Sequence, residues 1–258
     1  MLLALDVGNT TIVVGVYEGP HLVQHWRVRT DRERTADEHG LLMTHLLQHA
    51  SIACAQIHGV IISNVVPPMT DALQGMARRF LHVEPIFVSH ELPLGVPIRY
   101  HDPREVGADR LVNAVAAIHK YGAPAIVVDF GTATTLDVIS PQGEYLGGCI
   151  MAGIGISAEA LFRTAARLPR IELVAPPHVV GRTTVEAMQA GILFGYAGAI
   201  DALVERIHKE LGCETTVVAT GGLAERVAAE TRRIQHVDPW LTLEGLRIIW
   251  ERVTEGSA

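Results

Sequence analysis

Apolar positions along this chain follow two rhythms, and the order in which they alternate repeats once. Leu2–Asp6 is a continuous apolar run, and Thr11–Tyr17 is rich in β-branched residues. A Glu18-Gly19-Pro20 turn leads on to His21–Val28, so three strands are predicted at the start. A charged stretch from Thr30 to Arg34 breaks the pattern. Ala36–His49 then places Leu42, Leu46 and their neighbours on one helical face. Short strands are expected at Val60–Ile62 and Ile86–Val88. Between them a helix should start at Pro68, a residue suited to a first helical position, and run to Phe80. A Pro- and Gly-containing connector from Leu92 to Pro103 precedes a helix over Val106–Tyr121, which Gly122 and Pro124 end. The three-strand pattern then restarts at Ala125–Asp129, Thr134–Ile139 and Tyr145–Met151. Helices near Ser157–Ala166 and over Thr184–Glu210, strands at Thr216–Ala219 and Ile234–Val237, and a helix from Leu241 complete the pattern. Each half is three strands followed by alternating helix and strand, with the boundary expected between Gly107 and Gly122.

The repeat extends to chemistry. LALDVGNTT at 3–11 and IVVDFGTAT at 126–134 each end an apolar run in Asp, one apolar residue, then Gly and small hydroxyl or amide residues. Asp6 aligns with Asp129, Gly8 with Gly131 and Thr11 with Thr134, each pair 123 residues apart. Glycine in such a turn tolerates positive φ and lets a phosphate approach the backbone. Asn and Thr add donors, and an Asp can hold a hydrated magnesium ion beside phosphates. A single copy reads equally as an ordinary β-turn. Two copies at matching places point to paired lobes that grip one nucleoside triphosphate, since a turn alone needs no matching Asp.

Bulk properties narrow the classes. With 258 residues the chain can bury a sizeable core, and 48% hydrophobic against 19% charged residues marks it as globular. A formal net charge of −7 argues against a nucleic-acid partner. An acidic protein can still bind a nucleotide through backbone N–H groups and a divalent cation. Cys54, Cys149 and Cys213 are widely spaced and form no C-x-x-C pair, so neither disulfides nor a cysteine zinc site is expected. No basic region precedes the first apolar run, and no uninterrupted apolar stretch reads as long enough to span a bilayer, so no membrane partner and a cytoplasmic location are expected.

Two further segments carry candidate chemistry. Gly221-Gly222 follows the run VVAT and opens a helix, allowing close approach of a ring or phosphate, or simply making a strand-to-helix turn. In YHDPREVGADR at 100–110, Asp109 and Arg110 fall in the first turn of a helix. The Asp could accept a hydroxyl proton and the Arg could grip a carboxylate, or the Asp could serve only to stabilise the helix N-terminus. Thr183 and Glu186 make a capping box, which leaves Thr184 with a free hydroxyl. Ala187, Gly191, Gly195 and Ala199 recur every four residues on one helix, a pattern of close helix packing.

Taken together, the two turns and the glycine pair resemble the actin-like ATPase superfamily of sugar and acetate kinases. That resemblance implies an α/β fold of two ribonuclease-H-like lobes with mixed sheets and an interdomain nucleotide cleft, here 1–115 and 116–258. DVGNT at 6–10, VVP at 65–67, GADR at 107–110, DFGTATT at 129–135, YLGG at 145–148 and TTVEAMQAG at 183–191 narrow the likeness. In this order they are similar to the type III pantothenate kinases, over nearly the whole chain. The resemblance implies ATP-dependent phosphorylation of pantothenate, the first step of coenzyme A biosynthesis. It implies ATP contacts at Asp6, Val7, Gly8, Asn9, Thr10, Thr11, Ile12, Val13 and Thr132, and Asp109 as the proton acceptor. It further implies pantothenate contacts at Tyr100, Gly107, Ala108, Asp109, Arg110 and Thr184. Asp129 would bind a monovalent cation (K+ or NH4+), ATP would come with Mg2+ or another divalent cation, and the protein would be a homodimer. Two positions depart from the family pattern: Ala152 stands where Pro usually precedes Gly153, and Asp102 where Asn usually precedes Pro103.

Overall fold

The β-branched runs become two five-stranded sheets with the same strand order. A computed structural model describes residues 1–255, which divide into two compact units: Met1–Ala116 together with the segment from Leu241, and Ala117–Trp240. In the first, β1 (Leu2–Val7) lies antiparallel to β2 (Thr11–Glu18), and β2 antiparallel to β3 (His21–Arg29). β4 (Gly59–Asn64) runs parallel to β1, and β5 (Ile86–Phe87) parallel to β4, giving the order β3-β2-β1-β4-β5. Strands tied by a tight turn pair antiparallel, whereas the return to the far side of β1 needs a helical crossover and is parallel.

That crossover is α1 (Ala36–His49), set at the expected residues by its N-cap. The Thr35 hydroxyl accepts from the Glu38 N–H and the Glu38 carboxylate accepts from the Thr35 N–H. The expected helix from Pro68 is a single turn, Pro67–Met69, then α2 (Thr70–Met76), which widens into a π turn over Ala77–Leu81 and stops at His82 with φ of 56°. Leu3, Leu5, Val7, Val14 and Val16 face α1 and α2 and are fully buried with Leu47, Leu73 and Met76. Each such side chain contributes roughly 1.5–3 kcal/mol relative to exposure.

The other face of this sheet takes the last helix. α7 (Leu241–Glu255) packs on β1, β2 and β4. A side chain on Gly59 would strike the Trp250 ring at 2.2 Å, and one on Gly15 would meet Leu243 at 2.8 Å. Those two bare positions seat the bulky residues of α7. α3 (Ala108–Tyr121) packs beside it: the Thr242 hydroxyl donates to Asn113 at 2.8 Å, and Gly245 abuts the Val112 carbonyl. A division at 115/116 would leave α7 with the second half; its packing puts it in the first unit, while the boundary near Gly107–Gly122 falls within α3.

In the second unit, β6 (Ala125–Phe130), β7 (Ala133–Ile139) and β8 (Tyr145–Ala152) repeat the meander. α4 (Ile154–Thr164) and α5 (Thr184–Leu211) follow, then β9 (Thr216–Thr220), α6 (Ala224–Ala228) and β10 (His236–Val237). β9 is parallel to β6, and the order is β10-β9-β6-β7-β8. At 28 residues, α5 is long and apolar enough by composition to cross a bilayer, although Gln189 and Asp201 interrupt its apolar run. Its Ile192, Leu193, Ile200 and Val204 are buried in this unit's core.

Candidate functional site

The two Asp-Gly turns close the first hairpin of each unit, and they differ by one residue. Val7 pairs with Ile12, leaving four residues in the first turn, 8–11; Phe130 pairs with Thr134, leaving three in the second, 131–133. Asp6 and Asp129 keep their match at equivalent places on the central strands, as do Gly8 and Gly131. The Thr11–Thr134 match does not survive: Thr134 occupies the place of Ile12, because the second turn is shorter. It is fully buried there, and its hydroxyl has no hydrogen-bond partner.

Neither turn glycine needs a left-handed backbone, as the sequence reading supposed; neither is among the glycines with positive φ. A Cβ on Gly8 would meet only the Thr11 carbonyl at 3.1 Å, and one on Gly131 would find ordinary contacts at 3.5 Å or more. Bare, approachable backbone is the property these glycines supply. Asn9 and Thr10 are exposed at the first turn, Thr11 and Val13 are half-buried, and Val7 and Ile12 are buried in the core, so these last two can offer a ligand only their main chain. Thr132 is exposed at the second turn.

Each Asp is half-buried and lies across from a hydroxyl residue on the parallel neighbour strand: Asp6 from Ser63, Asp129 from Thr220. Ser63 is fully buried with an unpartnered hydroxyl. Gly221, with φ of 94°, presses against the second turn: a Cβ there would lie 2.6 Å from Asp129 Oδ1 and 2.7 Å from the Phe130 carbonyl oxygen. Two oxygen atoms thus face one bare α-carbon.

Sequence reasoning missed what the charged segment after β3 does. The Thr30 hydroxyl donates to the Gly8 carbonyl at 2.6 Å, the Thr30 N–H to the Thr10 carbonyl at 3.0 Å, and Arg32 Nη2 to Asn9 Oδ1 at 2.8 Å. The signal was present: β3 is antiparallel to β2, so its last residue, Arg29, pairs with Thr11 and delivers the next residues to the turn.

Asp109 stands at the head of α3. Its Oδ1 accepts from the Arg110 N–H at 2.8 Å, and the carboxylate folds back over Gly107, where a Cβ would lie 2.5 Å from Oδ1. Burial pushes its carboxyl pKa up, against the opposing pull of the Arg110 N–H and guanidinium. Ala108 and Arg110 are buried and Tyr100 is half-buried. Asp102 caps the turn before α3, accepting from the Arg104 N–H at 3.0 Å, and pairs with the Arg104 guanidinium at 2.8 Å. That pairing holds its carboxyl below the usual range, so the extra charge relative to Asn is compensated locally.

Elsewhere in the second unit, Thr183 caps α5 with Glu186 as expected, and Thr184 is exposed at the first helical position. Gly153 touches the second turn so closely that a Cβ would sit 2.1 Å from the Thr132 carbonyl. The neighbouring Ala152 is exposed, and its carbonyl accepts from the Tyr196 hydroxyl at 2.6 Å.

Comparison with known proteins adds to this geometry. Residues 2–206 match the family model described as type III pantothenate kinase. A type III pantothenate kinase of Myxococcus xanthus is 54% identical over 252 residues, covering 98% of both chains. One of Moorella thermoacetica is 52% identical, over 98% of this chain and all of its own. Among solved structures, component A of the (R)-2-hydroxyglutaryl-CoA dehydratase of Acidaminococcus fermentans is similar with a TM-score of 0.59 at 14% identity, over 99% of this chain and 98% of its own. A ROK hexokinase of Thermus thermophilus gives 0.52 at 13%, over 99% of each chain. At such identities the likeness concerns fold alone, and it agrees with the α/β, actin-like ATPase class read from the paired turns.

Proposed function

The chain belongs to the type III pantothenate kinase family, so it phosphorylates pantothenate with ATP in coenzyme A biosynthesis, and we propose that Asp109 and the two Asp-Gly turns carry out the transfer. The observation that carries this assignment of roles is the Asp109 carboxylate, half-buried beside the Arg110 N–H at the head of α3. It accepts the hydrogen bond of the pantothenate primary hydroxyl and takes its proton as the oxygen attacks the terminal phosphorus. A new P–O bond forms, the bond to the bridging β–γ oxygen breaks, and ADP leaves. Such transfers have a loose transition state, so orienting the hydroxyl matters more than strong basicity. Arg110 pairs with the pantothenate carboxylate through its guanidinium fork. Tyr100, Gly107, Ala108 and Thr184 complete the acceptor contacts.

The triphosphate lies against residues 6–13, with Thr132 as a further ATP contact. Asp6 is the proposed ligand of a divalent cation, which when bound neutralises phosphate charge. Asp129, with the Phe130 carbonyl beside it, is the proposed ligand of K+ or NH4+. We also propose a cytoplasmic homodimer. Support for the dimer comes from Ala187, Gly191 and Gly195, exposed along α5 with open space beyond both glycines, and from the exposed apolar Ile150, Ile156 and Val180.

The test is a panel of small hydroxy compounds offered with labelled ATP, with and without potassium or ammonium. Label should pass to pantothenate alone, and faster with the monovalent cation. Label transfer to another acceptor, or release as phosphate only, would overturn the reading.

A further inference from the structure

The segment that links β3 to α1 is fastened at both ends. On one side Thr30 is bonded to Gly8 and Thr10 of the first turn. On the other, Thr35 caps α1, and between them Asp31 Oδ1 accepts from the Glu33 N–H at 3.2 Å. Arg32 lies within this fastened stretch. Its side chain is exposed, and Nη2 donates to Asn9 Oδ1, also exposed, at 2.8 Å. Its other guanidinium N–H groups have no protein partner among the described residues. We propose that Arg32 is a phosphate-contacting residue, its guanidinium held by Asn9 at the open side of the first turn to receive phosphoryl oxygens of a nucleoside triphosphate.

The chemistry suits the place. A guanidinium presents five donors in a rigid plane, so one bond to Asn9 orients the rest. The strand that leads into this turn carries the Asp6 carboxylate, in a chain of net charge −7, so an arriving triphosphate meets negative charge. A fixed cation at this point offsets that repulsion and adds charge-assisted hydrogen bonds. The inference deepens the assignment of residues 6–13 to the phosphates of ATP and rests on it.

Three variants of the full-length protein separate contact from scaffolding: Arg32→Ala, Arg32→Gln and Arg32→Lys. Gln keeps an N–H donor for Asn9 but has no charge. Steady-state kinetics would be measured against ATP and pantothenate, with ATP and AMP binding by calorimetry. Arg32→Ala and Arg32→Gln should raise the KM for ATP by roughly tenfold to a hundredfold, the range for a lost hydrogen bond to a charged group. The KM for pantothenate, AMP affinity and melting temperature should hold, and Lys should recover part of the loss. An Arg32→Gln enzyme with wild-type ATP kinetics would reduce Arg32 to a prop for Asn9 and overturn the proposal. Asp6→Asn serves as the control: if it too leaves ATP kinetics unchanged, the assignment of the whole turn fails, not only the role of Arg32.

Discussion

The two turns began as one pattern and have been finished differently. The first is four residues long, is steadied from outside by Thr30 and Arg32, and is followed on the parallel strand by Asn64, which bonds Thr70 and the Val66 N–H. The second is three residues long and is closed in by Gly153 and Gly221, so close that neither has room for a methyl group. Side-chain hydrogen bonds secure one turn, and backbone contact secures the other. Hydrogen bonds from Thr30 and Arg32 hold the first turn, whereas the second is held by the close approach of Gly153 and Gly221. The same Asp, in the same place on the central strand, thus sits in two mechanical settings.

Substitutions put this contrast to the test. The largest effect is expected at the proposed proton acceptor of the first unit: Asp109→Asn should lower turnover by about 10²–10⁴-fold, the usual range for a general base. Near-normal turnover would remove Asp109 from the mechanism. The same variant should be more stable than the parent at neutral pH. Burial raises the Asp109 pKa on folding, so the carboxylate form is less favoured in the folded state than in the unfolded one. Stability from this group therefore falls as pH rises from the unfolded value near ~3.9 through the folded one. Melting curves should show the advantage of Asn at pH 7.5 and its disappearance near pH 4.

Next comes the matched pair behind the turns. Gly221→Ala should cost about 3 kcal/mol or more, since it meets both a positive φ and backbone atoms. Asn64→Ala, at the corresponding place of the first sheet, should cost only about 1–2 kcal/mol for two lost hydrogen bonds. Equal losses in urea melts would refute the division into steric and polar fastening. The smallest effect is expected at Thr134, whose buried hydroxyl lacks a partner where the first unit has Ile12. Thr134→Val should gain up to about 1 kcal/mol; a loss of stability would mean that the hydroxyl has a use in the free protein.

Which of these features the sequence discloses follows from their physics. Strands β1, β2, β6 and β7 were legible because β-branched runs and turn residues are local signals. Helix α1 was legible from its periodicity, with Leu42 and Leu46 on one face, whereas its Thr35–Glu38 cap was not read. The paired Asp residues were legible as a repeat. The one-residue difference between the turns was not, because in TATT several threonines suit either a strand or a turn, and only cross-strand pairing decides. The destination of α7 was hidden too: an amphipathic helix declares that it has an apolar face but not which sheet will receive it. The roles of Gly59 and Gly15 as seats for Trp250 and Leu243 become visible only once that sheet is known. The grip of Thr30 and Arg32 on the first turn lay in strand geometry rather than in any motif.

The return of α7 to the first unit has a consequence for biosynthesis. Residues 117–240 are contiguous and carry all of their own sheet, so this portion can mature while the ribosome is still working. Residues 1–116 must wait, with Gly15 and Gly59 uncovered on one side of their sheet, until the α7 segment from Leu241 has been made. A nascent chain stalled before Leu241 should therefore display a protease-resistant middle and a protease-sensitive beginning, the reverse of simple N-to-C order.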